Sequence, residues 1–95
     1  MDLGNLLEGF YKRISNDGRI GPTHISLYFA LLYHSNRQAL PGAFTIDRVI
    51  IMGLAKINSR QTYNRCMKEI NKYGYIHYNP SSNPNVASRV FLILK

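Results

Sequence analysis

The sequence predicts a mainly α-helical fold that ends in a small β-hairpin. Apolar residues recur with helical spacing over most of residues 3–73, and turn-forming residues divide that part of the chain into four segments. Near the C-terminus, two β-rich runs, "YIHYN" and "SRVFLIL", flank a polar stretch that is rich in turn formers. Together these features predict four helices followed by two strands, in a single domain that covers residues 1–95.

Two of the predicted helices lie in the N-terminal part, over residues 3–15 and 22–37. In the first, apolar residues fall at every third or fourth position and form one face. The segment "NDGRIGP" separates the two, because Asp-Gly favours a turn and Pro22 suits the first position of a helix. The second helix is apolar nearly all round, which is typical of a helix buried on several sides. This apolar surface predicts a homodimer formed through the N-terminal helices.

A second pair of helices, joined by a tight turn, is predicted over residues 45–73. The tripeptide "FTI" before them is a candidate short strand. Thr45 is a candidate cap for the third helix, with Asp47 in the first turn, where the helix dipole favours a negative charge. The apolar side of the third helix is expected to consist of Val49, Ile50, Met52 and Leu54.

The fourth helix is predicted over about residues 59–73, with Asn58 or Ser59 as its cap. Gly74 should end it, because glycine readily adopts the left-handed conformation that follows many helices. The hairpin then occupies residues 75–94. The buried stripe of the fourth helix is expected to consist of Tyr63, Cys66, Met67 and Ile70.

The positive charge is concentrated in the C-terminal part of the chain. The protein has 12 Lys and Arg against 5 Asp and Glu, a formal charge of +7. Residues 1–54 carry nearly balanced charges, whereas residues 55–95 contain Glu69 as their one acid. Such asymmetry indicates a polyanionic partner, of which nucleic acid is the leading candidate.

A helix pair followed by a hairpin is the sequence form of a winged helix-turn-helix. An α-helix fits the DNA major groove, where arginine can bind guanine and where asparagine or glutamine can bind adenine. The predicted function is therefore sequence-specific binding of double-stranded DNA by a transcriptional regulator, with the fourth helix in the major groove. The predicted DNA-binding residues are Lys56, Ser59, Arg60, Gln61, Thr62, Asn64, Arg65, Lys68, Lys72, Asn83 and Arg89. Those expected nearest the bases are Arg60, Gln61, Asn64 and Arg65.

The segment "SRQTYNRCMKEINKYGYI" (residues 59–76) resembles the recognition-helix segment of winged helix-turn-helix regulators of the MarR type. The positions that carry the resemblance are Ser59, Thr62, Cys66 with Met67, Ile70, Gly74 and Ile76. It extends over about residues 44–94, and the whole chain is loosely similar to small bacterial winged-helix proteins. The resemblance implies a DNA-binding winged helix. Two departures are Tyr63, where the family has a smaller aliphatic residue, and a wing tip without Lys or Arg.

Two other functions fit the same features. The basic helix and hairpin can form a protein-interaction module in a replication or conjugation assembly, where they would meet an acidic partner. Tyr75 and Tyr78 lie among basic residues, a pattern that is also found in proteins that stack the bases of single strands. The same tyrosines can instead fill the edge of the core with their hydroxyls towards solvent, and the sequence favours this second interpretation.

Catalysis and metal binding have little support in the sequence. The carboxylates are scattered, and the sequence has no nucleophile or phosphate-loop motif. His24 and His34 would lie roughly 15 Å apart along one helix, too far to share an ion. The lone Cys66 excludes an internal disulfide. We therefore expect neither an enzyme nor a cofactor or metal site, and we expect a cytoplasmic protein that does not associate with membranes.

Overall fold

The computed structural model describes residues 3–38, 44–83 and 85–93. Within these ranges the chain forms four helices and a three-stranded antiparallel sheet, which agrees with the predicted mainly α-helical fold with a hairpin. The helices are α1 (Leu3–Ile14), α2 (Pro22–Gln38), α3 (Arg48–Ala55) and α4 (Arg60–Lys72). The strands are β1 (Phe44–Ile46), β2 (Ile76–Asn79) and β3 (Ser88–Leu92). The predicted end of the hairpin at residue 94 lies outside the described residues.

The sheet joins the segment before α3 to the C-terminal hairpin. Its strand order is β1-β3-β2, with Phe44 opposite Val90 and Ile76 opposite Leu92. The predicted "FTI" strand is thus confirmed. At the edge of β2 that does not pair with β3, the backbone N–H of Tyr78 donates to Oδ1 of Asn71 in α4, at 2.9 Å. The helix pair is therefore attached to the sheet at both ends, through β1 and through β2.

Helix α2 lies at the centre of the fold and packs against α3, α4 and β1. Five of its apolar residues are buried, namely Leu27, Tyr28, Ala30, Leu31 and Leu32. Phe10 of α1 stacks on Tyr28 with ring centroids 4.1 Å apart. The expectation of a helix buried on several sides is confirmed, and the chain's own core accounts for most of that burial. None of the described helices has the combination of length and apolarity that crossing a membrane requires.

Helix α3 differs from the sequence prediction at its start and on its faces. Its N-cap is Asp47, whose Oδ1 accepts hydrogen bonds from the N–H groups of Val49 and Ile50, whereas Thr45 belongs to β1. The prediction of Thr45 as the cap was wrong, because pairing with β3 keeps that residue extended. The residues buried on this helix are Ile51 and Ala55. Of the four residues expected on the buried side, Met52 is half-buried and Val49, Ile50 and Leu54 are exposed.

A polar cluster from α1 and the α1–α2 loop, here called the Asp17 cluster, holds the end of α4. Arg13 donates to the Gly74 carbonyl at 3.0 Å, and its guanidinium lies 4.1 Å from the centroid of the Tyr75 ring. Asp17 accepts two side-chain bonds from Arg19 and one from the Tyr75 hydroxyl, at 2.8 Å. Gly74 itself has a φ of 86°, as predicted for the residue that ends α4. The cluster fixes where α4 stops and β2 begins.

Because of these bonds, the stability of the protein depends on pH. The bonds from Arg19, reinforced by the hydroxyl of Tyr75, hold the pKa of Asp17 well below its ordinary value. A lowered pKa in the folded state stabilises the fold above the unfolded pKa of about 3.9, and this contribution is lost as the pH falls towards the folded value.

We expect Asp17→Asn to lower the free energy of unfolding at neutral pH, with a difference from the parent that shrinks as the pH falls below about 4. Chemical denaturation across this range measures the effect. Glu8→Gln is the control, because Glu8 pairs with Lys12 on an exposed helix surface and should contribute little at any pH. A constant difference between parent and Asp17→Asn at every pH would contradict this prediction.

Candidate nucleic-acid interface

Helix α4 is amphipathic, and its two sides are fully separated. The predicted stripe is confirmed, since Tyr63, Cys66, Met67 and Ile70 are each at most 2% exposed. Burial raises the pKa of Tyr63 to about 12, so its hydroxyl stays neutral inside the domain. The packing of α4 therefore accommodates the large residue at position 63. The exposed residues of the helix are Arg60, Gln61, Asn64, Arg65, Lys68 and Lys72.

The start of α4 follows from local hydrogen bonding. Ser59 has extended backbone angles, and its hydroxyl accepts the N–H of Thr62 at 3.2 Å. Ser59 is therefore the N-cap, one of the two candidates that the sequence offered. Thr62 is half-buried, so its side chain is less available than those of its neighbours Gln61 and Asn64. The basic residue Lys72 lies in the last turn, where the helix dipole favours a positive charge.

The cations of α4 are nearly free of acidic partners. Among the described residues, Arg60, Lys68 and Lys72 form no ion pair. Nε of Arg65 lies 3.6 Å from Oε1 of Glu69, one turn away, and the Arg65 side chain is 65% exposed. An exposed pair of this kind contributes about 0–1 kcal/mol, so a phosphate or a base can readily displace it.

The other described acids each have partners outside α4. Glu8 pairs with Lys12, Asp17 belongs to the Asp17 cluster, and Asp47 caps α3. No carboxylate therefore lies among the outward-facing cations of α4 within the described ranges, except Glu69 at its flank. The exposed side of α4 thus concentrates positive charge.

The turn between α3 and α4 contains an exposed lysine with an unusual backbone. Lys56 has a φ of 59° and a ψ of 37°, and its N–H donates to the carbonyl of Met52. The Ser26 hydroxyl of α2 donates to the carbonyl of Ala55 and holds the end of α3 in place. A left-handed conformation costs a non-glycine residue roughly 1–2 kcal/mol. The chain therefore keeps a lysine at a position that glycine would occupy with less strain.

The remaining predicted residues lie on other elements. Arg89 is exposed on β3, next to the buried Val90, so it belongs to the solvent face of the sheet. Asn83 is exposed in the β2–β3 loop, where its Oδ1 accepts the N–H of Asn85 at 2.9 Å. That oxygen helps to close the loop. The structure thus brings together the α4 residues, with Lys56 and Ser59 at the preceding turn, whereas Arg89 and Asn83 lie on the hairpin.

The alternative of a single-strand stacking surface fails at Tyr75. Its side chain is 2% exposed, Arg13 covers one face of the ring, and Phe10 packs against it edge-on. The Tyr78 side chain is half-buried, on the same face of the sheet as the buried Ile76. The suggestion that these two tyrosines stack bases is therefore wrong for Tyr75, because the aromatic ring belongs to the core.

Two further features were not found from the sequence. Val49, Ile50 and Leu54 form an exposed apolar side of α3. Where α2 packs against α4, His24 of α2 approaches Cys66 and Glu69 of α4. The three potential ligand atoms lie within 4.8 Å of one another. The i, i+3 spacing of Cys66 and Glu69 was visible in the sequence, but the approach of His24 depends on how α2 packs on α4.

Comparison with protein-family models, with curated proteins and with solved structures finds no match to this chain. The function must therefore be inferred from the geometry and charge of the chain itself.

The left-handed backbone of Lys56 predicts that replacing this residue changes the stability of the fold through the backbone, and not through the lost charge. We expect Lys56→Gly to raise the free energy of unfolding by about 0.5–1 kcal/mol, because relief of left-handed strain exceeds the entropic cost of glycine. Lys56→Ala is the matched control, since it removes the same charge and keeps a side chain that disfavours this conformation. Chemical denaturation gives both values. Equal stabilisation by the two variants would show that charge, and not backbone strain, is responsible.

Proposed function

We propose that the chain is a winged helix-turn-helix domain that binds double-stranded DNA in a sequence-specific manner, as a transcriptional regulator does. The observation that carries this proposal is the exposed side of α4. This side presents four cations and two amides, all exposed, opposite a stripe that is at most 2% exposed. A helix held in this way can enter a major groove without unpacking from its own domain.

The arrangement of the other elements supports the same proposal. Helices α3 and α4 are joined by the short turn at residues 56–59, and the β2–β3 hairpin follows α4 directly. Strand β1 pairs with β3, which ties the start of the helix pair to the hairpin. In this interpretation α4 is the recognition helix and the β2–β3 loop is the wing.

The direction of each side chain refines the proposed roles. Successive residues of a helix turn by about 100°, so Gln61, Arg65 and Lys68 lie along the line opposite the buried stripe. Arg60 and Asn64 lie nearer one edge of the exposed side. We therefore assign base contacts foremost to Gln61 and Arg65, with Arg60 and Asn64 beside them. We assign phosphate contacts to the lysines of the turn and of the helix, Lys56, Lys68 and Lys72, and to Arg89 on β3.

The proposal predicts loss of binding when the arginines of α4 are removed. A duplex selected from a random library by binding to the parent protein serves as the probe, and fluorescence anisotropy gives the affinity. Arg60→Ala with Arg65→Ala should weaken binding by about 10-fold or more, since a good bidentate contact contributes about 1–3 kcal/mol. Lys68→Ala should reduce the slope of log affinity against log salt by about 1, because one fewer phosphate is neutralised.

Lys12→Ala is the matched control for Lys68→Ala. Both lysines are exposed on helices, but Lys12 lies on α1 and pairs with Glu8. It should change neither the affinity nor the salt slope beyond a small general effect of charge. If the double arginine variant binds the duplex as tightly as the parent, α4 is not the recognition helix.

A homodimer through α1 and α2 would read two half-sites about 34 Å apart, one helical turn of DNA. The apolar surface on which this prediction rested is smaller than the sequence indicated, because α2 buries most of it in its own core. Among the described side chains of these helices, the large exposed apolar residues are Tyr11 and Tyr33.

Light scattering or sedimentation at micromolar concentration tests the dimer. The hypothesis requires about twice the chain mass of 10.9 kDa, and Tyr33→Ser should return the mass to that of one chain. A single-chain mass for the parent would remove the dimer and leave recognition of one half-site by each protein.

The alternative is a protein-interaction module in a replication or conjugation assembly, and one observation favours it. Val49, Ile50 and Leu54 expose an apolar side of α3 that is 40–68% accessible at each residue. Ile50 and Val86 of the β2–β3 loop line the same open groove. If the parent shows no salt-dependent duplex binding, this apolar side of α3 becomes the leading candidate for the functional surface.

A further inference from the structure

One cluster of metal-binding side chains lies where α2 packs against α4. Cys66 and Glu69 are one turn apart on α4, and His24 projects from the first turn of α2. The cysteine is fully buried, and the side chains of His24 and Glu69 are 13% and 32% exposed. Glu69 is the one acid in residues 55–95, and it points towards α2 from a helix whose other charged residues are all basic. The cluster is thus half-enclosed, with access from solvent on the side of Glu69.

The three donor atoms are close enough to share one ion. His24 Nε2 lies 3.0 Å from Glu69 Oε1, and both are within 4.8 Å of the Cys66 sulfur. Donors at the corners of a zinc tetrahedron lie about 3.3–3.8 Å apart, as follows from bond lengths of about 2.0–2.3 Å. The nitrogen and oxygen are at hydrogen-bond distance, slightly closer than this separation, and must move apart when an ion replaces the proton between them. Rotation of the Cys66 or Glu69 side chain, with a shift of the donor atom of at most about 1 Å, completes the tetrahedral arrangement of the three donors.

The nature of the donors selects the metal. Imidazole, thiolate and carboxylate together favour a borderline-soft divalent ion such as zinc or cobalt over magnesium or calcium, which prefer oxygen ligands. Three protein ligands leave the fourth position of a tetrahedral ion to water. The phenol of Tyr73 donates to the other oxygen of Glu69 at 3.4 Å, which orients the carboxylate from behind.

The hydrogen bonds of His24 show what an ion must displace. The backbone N–H of Gly21 donates to Nδ1 at 3.0 Å, so the ring is neutral and its proton is on Nε2, directed at Glu69. Binding at Nε2 moves that proton to Nδ1 and breaks the bond from Gly21. Cys66 gives up its thiol proton, so one proton is released for each ion bound. The affinity must therefore rise with pH.

We infer that His24, Cys66 and Glu69 form a binding site for one divalent transition-metal ion of the zinc type, which joins α2 to α4. This goes beyond the proposed DNA binding and does not depend on it. An ion here crosslinks the central helix of the fold to the helix with the basic face. It therefore stabilises the folded chain, by an amount that grows with the logarithm of the free ion concentration once this exceeds the dissociation constant.

Cobalt is the probe, because a cobalt ion bound to a thiolate has an intense near-ultraviolet charge-transfer band. The full chain, reduced and freed of metal by a chelator, is titrated with Co²⁺ at neutral pH. We expect the band to saturate at one ion per chain, and to be displaced by Zn²⁺. Zinc in excess should raise the midpoint of thermal unfolding by about 5 °C or more, on the scale of a domain of this size.

Three variants and one control identify the ligands. Cys66→Ser should abolish the charge-transfer band, whereas Glu69→Gln and His24→Gln should keep a weaker band and lose most of the thermal shift. His77→Gln is the control, because His77 is exposed on β2 and lies outside the cluster. It should bind as the parent does.

The Glu69→Gln variant keeps the test decisive if Cys66→Ser does not fold, since Glu69 is partly exposed and glutamine has nearly the same shape. The absence of a charge-transfer band in the folded parent overturns the inference and leaves the cluster as a hydrogen-bonded contact between helices. The same conclusion follows if Glu69→Gln binds cobalt with unchanged affinity, or if binding does not strengthen as the pH is raised.

Discussion

The burial of one stripe of α4 determines which side chains the chain presents to solvent. Tyr63, Cys66, Met67 and Ile70 lock the rotation of the helix, because turning it by one residue would expose part of the stripe and bury a charged side chain. Helix α2 provides the surface that receives this stripe, and the Asp17 cluster fixes where the helix ends. The outward direction of the basic residues is thus a consequence of core packing and needs no interactions of their own.

The position of Glu69 shows that this packing also separates the one acid of α4 from most of its basic residues. Glu69 lies at the flank where the helix meets α2, within reach of His24 and Tyr73. On the opposite line of the helix, the same carboxylate would repel a phosphate backbone. Placed at the flank, it leaves the positive potential of the exposed side largely intact and pairs weakly with Arg65. The distribution of charge on α4 therefore suits a polyanionic partner better than the net charge alone indicates.

Local signals in the sequence were sufficient to predict the helices but not their contacts. Ser59 and Gly74 bound α4 to within one residue, because capping and the left-handed stop depend on neighbouring backbone groups. Asp47 and Thr45 are both good caps, and the choice between them depends on β1 pairing with β3, which lies far along the chain. The apolar side of α3 was misassigned for a related reason. An eight-residue helix makes only two turns, so its pattern cannot show which side α2 will cover.

Some features of the candidate site were likewise predictable from the sequence, and others were not. The exposed residues of α4 were predictable, since they are the complement of a periodic apolar stripe. The bonds that Asn83 makes within its own loop, the enclosure of Tyr75 and the meeting of His24 with Cys66 and Glu69 were not. The last two depend on contacts between segments that are distant in sequence, whereas the bonds of Asn83 depend on how its own loop turns.

The bond between Asn71 and Tyr78 has a consequence for the behaviour of the protein at high concentration. Strand β2 is an outer strand, and an outer strand with open amides is a template on which another polypeptide can form further β-structure. Asn71 occupies the outward amide of Tyr78, so an incoming strand must first break a hydrogen bond that α4 supplies. The same helix that presents the basic side chains therefore also blocks one pairing position on the open edge of β2.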